Sequence, residues 1–452
     1  MPLYLSSLTV NKQVHNVVFA ASEHDSVYAF DADSGSQLWK ISTLGSGETP
    51  SDDHGCSQIS PEIGITSTPV VDRKAGTNGI LYVVAMSKDS GGKYHQRLHA
   101  LDATTGAESL GGPAEITATF PTSAGTATLD PGQYAERSAL LLLNGVIYTG
   151  WTSHCDHEPY QGWAIGYSAS TLKQSSILNL TPNGTEGSIR MSSAGMAADS
   201  AGYVYFLDAN GAFDATLDSS GFPTNKDLGN AFLELSTSPG LAVADYFATH
   251  DTVQQSAADS DLGSGGALVL PDQADASAQA RQLVVGAGKD GNIYLLDRHN
   301  MGKFNSSGNK IYQQLSNALG GSIFGAPAYF NGILYFGAAG RTLKAFPLRS
   351  AKLATLLIAE LSAFHLPRNN PWHLGPGNCQ WNCLGSRERQ YRRVTCIRRH
   401  GPIEGTLQQH AGRVPRQLRR GQQVHNPDDR RRQGVCGNSE RRSCVRAVAI
   451  KN

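Results

Sequence analysis

The chain has 452 residues, of which 49 are Gly and only 17% are charged, and its formal net charge is zero. A balanced total gives no electrostatic case for a nucleic-acid partner or a membrane surface. No apolar run reaches the 18 residues of a membrane-spanning helix. The balance hides an asymmetry: seventeen Arg and five of the seven Cys fall in residues 367–452, against eight Arg and two Cys before them.

In chain order, residues 1–14 read as one edge strand. Met1-Pro2-Leu3-Tyr4-Leu5 has neither a basic start nor a long apolar core, so it is not read as a signal peptide. Met1 is expected to be an internal start. Val17 to Ala21 and Val27 to Phe30 are β-branched and aromatic runs with turn residues between them, which is a hairpin pattern. Asp31-Ala32-Asp33-Ser34-Gly35 closes it as a turn in which Asp and Ser bond the backbone and Gly takes positive φ. Trp39 opens the next strand. Residues 41–64 form a long polar loop, and loops of this length in compact folds are often functional.

The strand pair recurs. Ile80 to Ala85 precedes Leu98 to Gly106, and Val146 to Tyr148 precedes Gly162 to Leu172. Shorter pairs lie near Gly195 to Leu207, Leu283 to Arg298 and Leu334 to Phe346. Residues 111–133 read as a surface excursion. Recurring strand pairs mean a repeat array. Gly-rich turns without amphipathic helices favour an all-β propeller of four-stranded blades. Seven or eight blades are expected in a full ring. This chain supplies fewer over residues 1–350, so the ring should be open or poorly closed.

The stretch Ala29-Phe30-Asp31-Ala32-Asp33-Ser34-Gly35-Ser36-Gln37-Leu38-Trp39 resembles the tryptophan-docking repeat of the pyrroloquinoline quinone (PQQ) propellers. Lys289 to Arg298 and Asp259 to Leu270 are similar to segments of quinoprotein alcohol dehydrogenases. The resemblance spans roughly residues 15–350 and implies that the docking Trp of one blade packs on the next. Asp31, Gly35 and Trp39 carry that role here; Asp102 and Gly106 carry it in a second copy that lacks the Trp. The resemblance also implies export to the periplasm or beyond.

It further implies PQQ and calcium as cofactors, with Asn210 beside the cation and Lys289 at the quinone oxygens, where a cation stabilises developing negative charge. The plain alternatives are a hairpin turn at Asn210-Gly211 and a solvated lysine. A dehydrogenase needs a carboxylate base; Asp245 and Asp261 are the candidates. The family's catalytic Asp motif and adjacent Cys pair are not found. His154, Asp156, His157 and Glu158 share a loop, not the helical spacing of a metal site, so no metal is assigned there. Cys56 and Cys155 both lie in polar loops. Either they are free thiols or they form a disulfide, which would imply an oxidising compartment.

After about Ala354 the alternation stops. The tail, residues 351–452, is rich in Arg and poor in apolar alternation, so it is expected to be disordered. Cys379, Cys383, Cys396 and His400 fit no zinc spacing well. A change of reading frame explains more. Back-translated and shifted by one nucleotide, Val394 to Gly401 gives Leu-His-Ala-Tyr-Asp-Ala-Thr, nearly the Leu98 to Thr104 repeat. Asn426 to Asn438 gives a further strand pair. Two functions compete: an exported propeller scaffold for a protein or small ligand, and a PQQ-dependent dehydrogenase of an alcohol or sugar. With the catalytic motif absent, the scaffold is the expected one, as a monomer.

Overall fold

The structure is a computed structural model. It describes residues 2–191 and 194–355 and the backbone of four later strands, Glu360–Ala363, Cys383–Glu388, Tyr391–Cys396 and Gln409–His410. Most of the expected out-of-frame segment, 351–452, lies outside the described residues, and so do Cys379 and His400. The chain divides into two units, Met1–Gly375 and Pro376–Asn452. In the second, the strands at Cys383, Tyr391 and Gln409 form one antiparallel sheet, with Cys383 opposite Cys396.

The first unit holds six antiparallel sheets in succession, each of four or more strands. The first blade runs Leu3–Val10, Gln13–Ser22, Ser26–Asp31 and Gln37–Ser42. Residues 1–14 are thus not one strand: the chain turns at Asn11 and Lys12, both at positive φ, and pairs back on itself. The second blade centres on Ile80–Lys88 and Tyr94–Asp102, the third on Val146–Ser153 and Trp163–Ser168. The fourth centres on Val204–Leu207 and Ala231–Ser236, the fifth on Leu283–Gly286 and Ile293–Asp297, the sixth on Ile333–Gly337 and Thr342–Arg349. These sheets make an incomplete β-propeller without a closed barrel. No helix among the described residues is long and apolar enough to cross a membrane.

Alternation along each inner strand explains the stacking. Successive side chains of a strand point to opposite faces. Leu81, Val83 and Ala85 face the first blade's core with Phe19 and Trp39. Ile80, Tyr82 and Val84 face the third blade's core with Ile147 and Trp151. The same division recurs in the fourth blade, where Val204 and Phe206 pack back towards the third. Tyr205 and Leu207 pack forward onto the fifth. Each such strand is buried on both faces, which is why it reads as an unbroken apolar run. Five cores between six sheets result.

Trp39 is only 9% exposed, and its indole Nε1 donates to the Ala103 carbonyl oxygen at 3.2 Å. Gly106, in that same turn of the second blade, has φ +72°, and a Cβ there would meet the Trp39 ring at 2.9 Å. The Asp31 and Asp102 turns are built alike. Asp31 Oδ1 accepts the amides of Asp33 and Ser34; Asp102 Oδ1 accepts those of Thr104 and Thr105.

Candidate functional site

Turns from the third, fourth and fifth blades stack backbone on backbone at one place. The Gly187 amide donates to the Asn210 carbonyl at 2.6 Å, the Ala209 amide to that of Ser188 at 2.8 Å, and the Met191 amide to that of Gly263 at 3.2 Å. A Cβ on Gly263 would lie 2.2 Å from the Ala209 nitrogen. Only glycine permits that approach.

This stacking gathers residues far apart in sequence. Lys289, in the hairpin turn of the fifth blade, places Nζ 2.6 Å from Asp261 Oδ1 and also pairs with Asp259. Asn210 Nδ2 donates to Asp259 Oδ1 at 2.9 Å. Lys289, Asp259, Asp261 and Asn210 are therefore one network. Asp261 is fully buried. Its Oδ2 and Asn210 Oδ1 are buried and accept no hydrogen bond among the described residues. Asn210-Gly211 is not a two-residue hairpin: 23 residues separate Leu207 from Ala231, the strands on either side. Lys289 is not a solvated turn lysine either, since its side chain is 8% exposed.

Asn230 fixes the turn that carries Asp261. It is fully buried. Its Oδ1 accepts the Leu262 amide at 2.8 Å, and its Nδ2 donates to the Thr252 carbonyl. The Lys289 amide in turn donates to the Asp261 carbonyl at 2.9 Å. Glu186 stands at the edge of the network. Burial first, then neighbouring Glu158, Asp261 and Asp259, push its carboxyl above the usual range. Arg190, nearly buried, pairs with Asp156, and burial lowers its pKa against the pull of Asp261 and Asp259.

Asp245 lies elsewhere. It sits on the outer strand of the fourth blade, Ala242–Ala248. There it accepts the Met301 amide at 2.8 Å and lies 3.3 Å from Lys303 Nζ. The structure does not bring it to Lys289.

No family model and no curated protein matches the sequence. Among solved structures, a europium-containing methanol dehydrogenase superposes with a TM-score of 0.52 at 12% identity, over 91% of this chain and 78% of that one. The fold is that of the PQQ-type β-propellers. A quinohemoprotein alcohol dehydrogenase from Pseudomonas putida superposes at 0.49 and 15% identity, over 78% of this chain and 53% of that one. Another, from Comamonas testosteroni, superposes at 0.47 and 16% identity, over 77% and 55%. This chain thus spans about half the length of these two enzymes.

In this propeller a second feature adjoins the blade-three turns. Cys56, in the long loop between the first two blades, is joined to Cys155 in the third by a disulfide with Cα atoms 5.8 Å apart. Beside it the His54 and His154 rings stack, with centroids at 4.3 Å and planes 9° apart. Burial and the neighbouring imidazoles push His154 down to about 3, and burial lowers His54 as well. Arg137 lines a small cavity under the bridge, where the charges of Arg190 and Glu23 act on it. Burial pulls its pKa down to about 10. His154 shares its loop with Asp156, His157 and Glu158, to which no metal is assigned. Among the described residues no three His, Cys, Asp or Glu side chains group to hold one.

Sequence reading missed Glu186, Arg190, Asn230 and Arg137. Glu186-Gly187 offered a signal, a carboxylate next to a glycine that takes φ +71°, but nothing local tied it to Asp261, 75 residues on.

Proposed function

We propose that this propeller binds an anionic quinone of the PQQ class at the Lys289 network and uses it to oxidise an alcohol or sugar. One observation carries the reading: Asn210 and Lys289, which the quinoprotein resemblance implies for the cofactor, meet the candidate base Asp261 in one network, with Lys289 and Asp261 buried and Asp259 linking Asn210 to them at the surface. A scaffold would have no need to bury opposed charges there, since burying ions is expensive. The residues suit the cofactor chemically. Lys289, Arg190 and Arg137 supply cations for an anionic quinone. The buried oxygens of Asn210 and Asp261 that lack partners suit a hard cation such as calcium, which takes six to eight oxygen ligands. The acids alone do not make that set, so water or the quinone's own oxygens would complete it.

PQQ, when bound, supplies a two-electron acceptor. The chain supplies the rest. Asp261 is the candidate base for the alcohol proton, fixed by Asn230 and by the Lys289 amide so that its carboxylate needs no reorientation. Lys289 Nζ holds the negative charge of the buried Asp261, where such a contact is stronger than in bulk water. The disulfide supports a working place in an oxidising compartment outside the cytoplasm.

The test is to add PQQ and calcium to the full chain and follow binding by fluorescence quenching. Dye-coupled oxidation of alcohols and sugars follows. Saturable binding with turnover lost in Lys289→Ala supports the reading. A folded chain that binds no PQQ returns the scaffold to first place.

For residues 351–452 we propose translation out of frame, on the strength of the two shifted segments that restore the repeat. Sequencing the gene should show one nucleotide inserted or deleted near codons 352–356. Stop codons in the other frame would overturn it.

A further inference from the structure

We propose that the fourth and fifth blades are held together by a titratable dock, in which Glu234 carries a proton at neutral pH and the contact loosens when that proton is lost.

The repeat gives the first reason. In the first blade Trp39 stands opposite Ala29, beside a bulge, and reaches the turn of the next blade. The fourth blade has the same register: Asp245 stands opposite Glu234, again beside a bulge. Asp245 also reaches the next blade's turn, but through a carboxylate that accepts the Met301 amide at 2.8 Å. That turn is built like the others, with Asp297 Oδ1 accepting the His299 amide at 3.0 Å. Two acids thus occupy the places of the docking Trp and its Ala, and a charged contact replaces an apolar one.

Hydrogen counting gives the second reason. Tyr205 is fully buried, and its hydroxyl lies 2.7 Å from Glu234 Oε1 and 3.1 Å from Asp199 Oδ2. A phenol has one hydrogen to donate, so it cannot serve two carboxylates at once. Asp199 is paired with Arg298 Nη1 across the blade boundary. Glu234 is therefore the group that carries the proton. It donates to the Tyr205 oxygen, and Tyr205 donates to Asp199. Glu234 is buried as well. Burial first, then Asp245 and Asp199, raise its carboxyl to about 7 against the pull of Tyr205 and Arg298.

The surrounding charges set the sign. Tyr205 on one neighbouring strand, Asp245 on the other, Asp199 in the turn before Val204–Leu207 and Arg298 from the fifth blade all act on Glu234. Lys303 lies 3.3 Å from Asp245, and the exposed Asp272 lies 3.7 Å from Arg298. With Glu234 neutral, Arg298 answers Asp199 and Lys303 answers Asp245. Once ionised, Glu234 adds a buried negative charge with no cation of its own. The dock is thus complete below the ordinary glutamate value of about 4.3 and weakens as pH rises through about 7. It works without any ligand and stands apart from the quinone reading.

The test is hydrogen exchange of the full chain over residues 298–303, read as protection factors. The Met301 and Lys303 amides, which donate to Asp245 and to the Tyr246 carbonyl, report the dock. Glu234→Gln keeps a donor for Tyr205 that does not titrate. Between about pH 5 and 7, wild-type protection should fall by up to about tenfold per pH unit relative to the variant. Parallel curves overturn the proposal. If Glu234→Gln fails to fold, the Glu234 carboxyl carbon is followed by NMR in the wild type. A titration midpoint above about 6 supports the dock, and a lower one, towards the ordinary value of about 4.3, overturns it.

Discussion

Lys289 Nζ lies 2.6 Å from Asp261 Oδ1. The two residues belong to the fifth blade, one in the turn of its central hairpin and one in the turn that leads into it. Both are buried, and Lys289 also pairs with the exposed Asp259. Removing one partner of a buried pair leaves an uncompensated charge and typically costs about 3–5 kcal/mol. Lys289→Ala should therefore lower unfolding stability by about 3 kcal/mol, measured by urea titration. Adding Asp261→Asn should recover part of the loss, because the two sites are coupled. Strict additivity in that cycle would refute the pairing.

Asp261 and Asp245 separate cleanly by activity. Asp261→Asn should cut dye-coupled turnover about 10²–10⁴-fold, the usual contribution of a positioned acid or base, with PQQ still bound. Asp245→Asn should leave turnover intact and affect only stability, through Met301 and Lys303. The reverse pattern would transfer the catalytic role to Asp245.

The docking contact makes its own forecast. Trp39→Ala empties a site walled by Phe19, Leu101 and Ala103 and should cost about 3–5 kcal/mol. Gly106→Ala should also destabilise, since φ +72° and the Trp39 ring both oppose a Cβ. Denaturant midpoints measure both, and a neutral Gly106→Ala would show that the turn shifts freely.

His154 should impose an acid limb on stability. Its folded pKa is held down to about 3, while the unfolded value lies near 6.5. The neutral ring is favoured by folding, so its contribution is complete above about pH 6.5 and is lost as pH falls towards 3. The slope is about 1.4 kcal/mol per pH unit for one proton. Buried Asp25 and Glu136 act oppositely. Burial raises both to about 8, so their contribution holds below the usual carboxylate range near 4 and fades as pH rises to 8. Comparing wild type with His154→Gln between pH 4 and 7 isolates the histidine. Parallel curves would dismiss it.

The strand pairs, their Asp-to-Gly turns and the propeller were legible because each depends on near neighbours. Asp31 caps its own turn, and alternation within Ile80–Lys88 already divides its residues between two cores. The reading failed where a local pattern had a rival. Asn210-Gly211 has the composition of a tight hairpin, yet the chain leaves on a long excursion there. Residues 1–14 looked like one strand because Asn11-Lys12 is a weak turn signal beside Asn-Gly or Asp-Gly.

What the sequence determined by itself was the blade: a period-two strand buried on both faces, punctuated by turns that Gly and Asp can make. What the tertiary structure decided was the company each turn keeps. Cys56 meets Cys155 across 99 residues, and Asn210 shares a carboxylate with Lys289 across 79, because successive blades stack with their inner turns in contact. That stacking is set by the packing of five cores at once, and no window of sequence contains it.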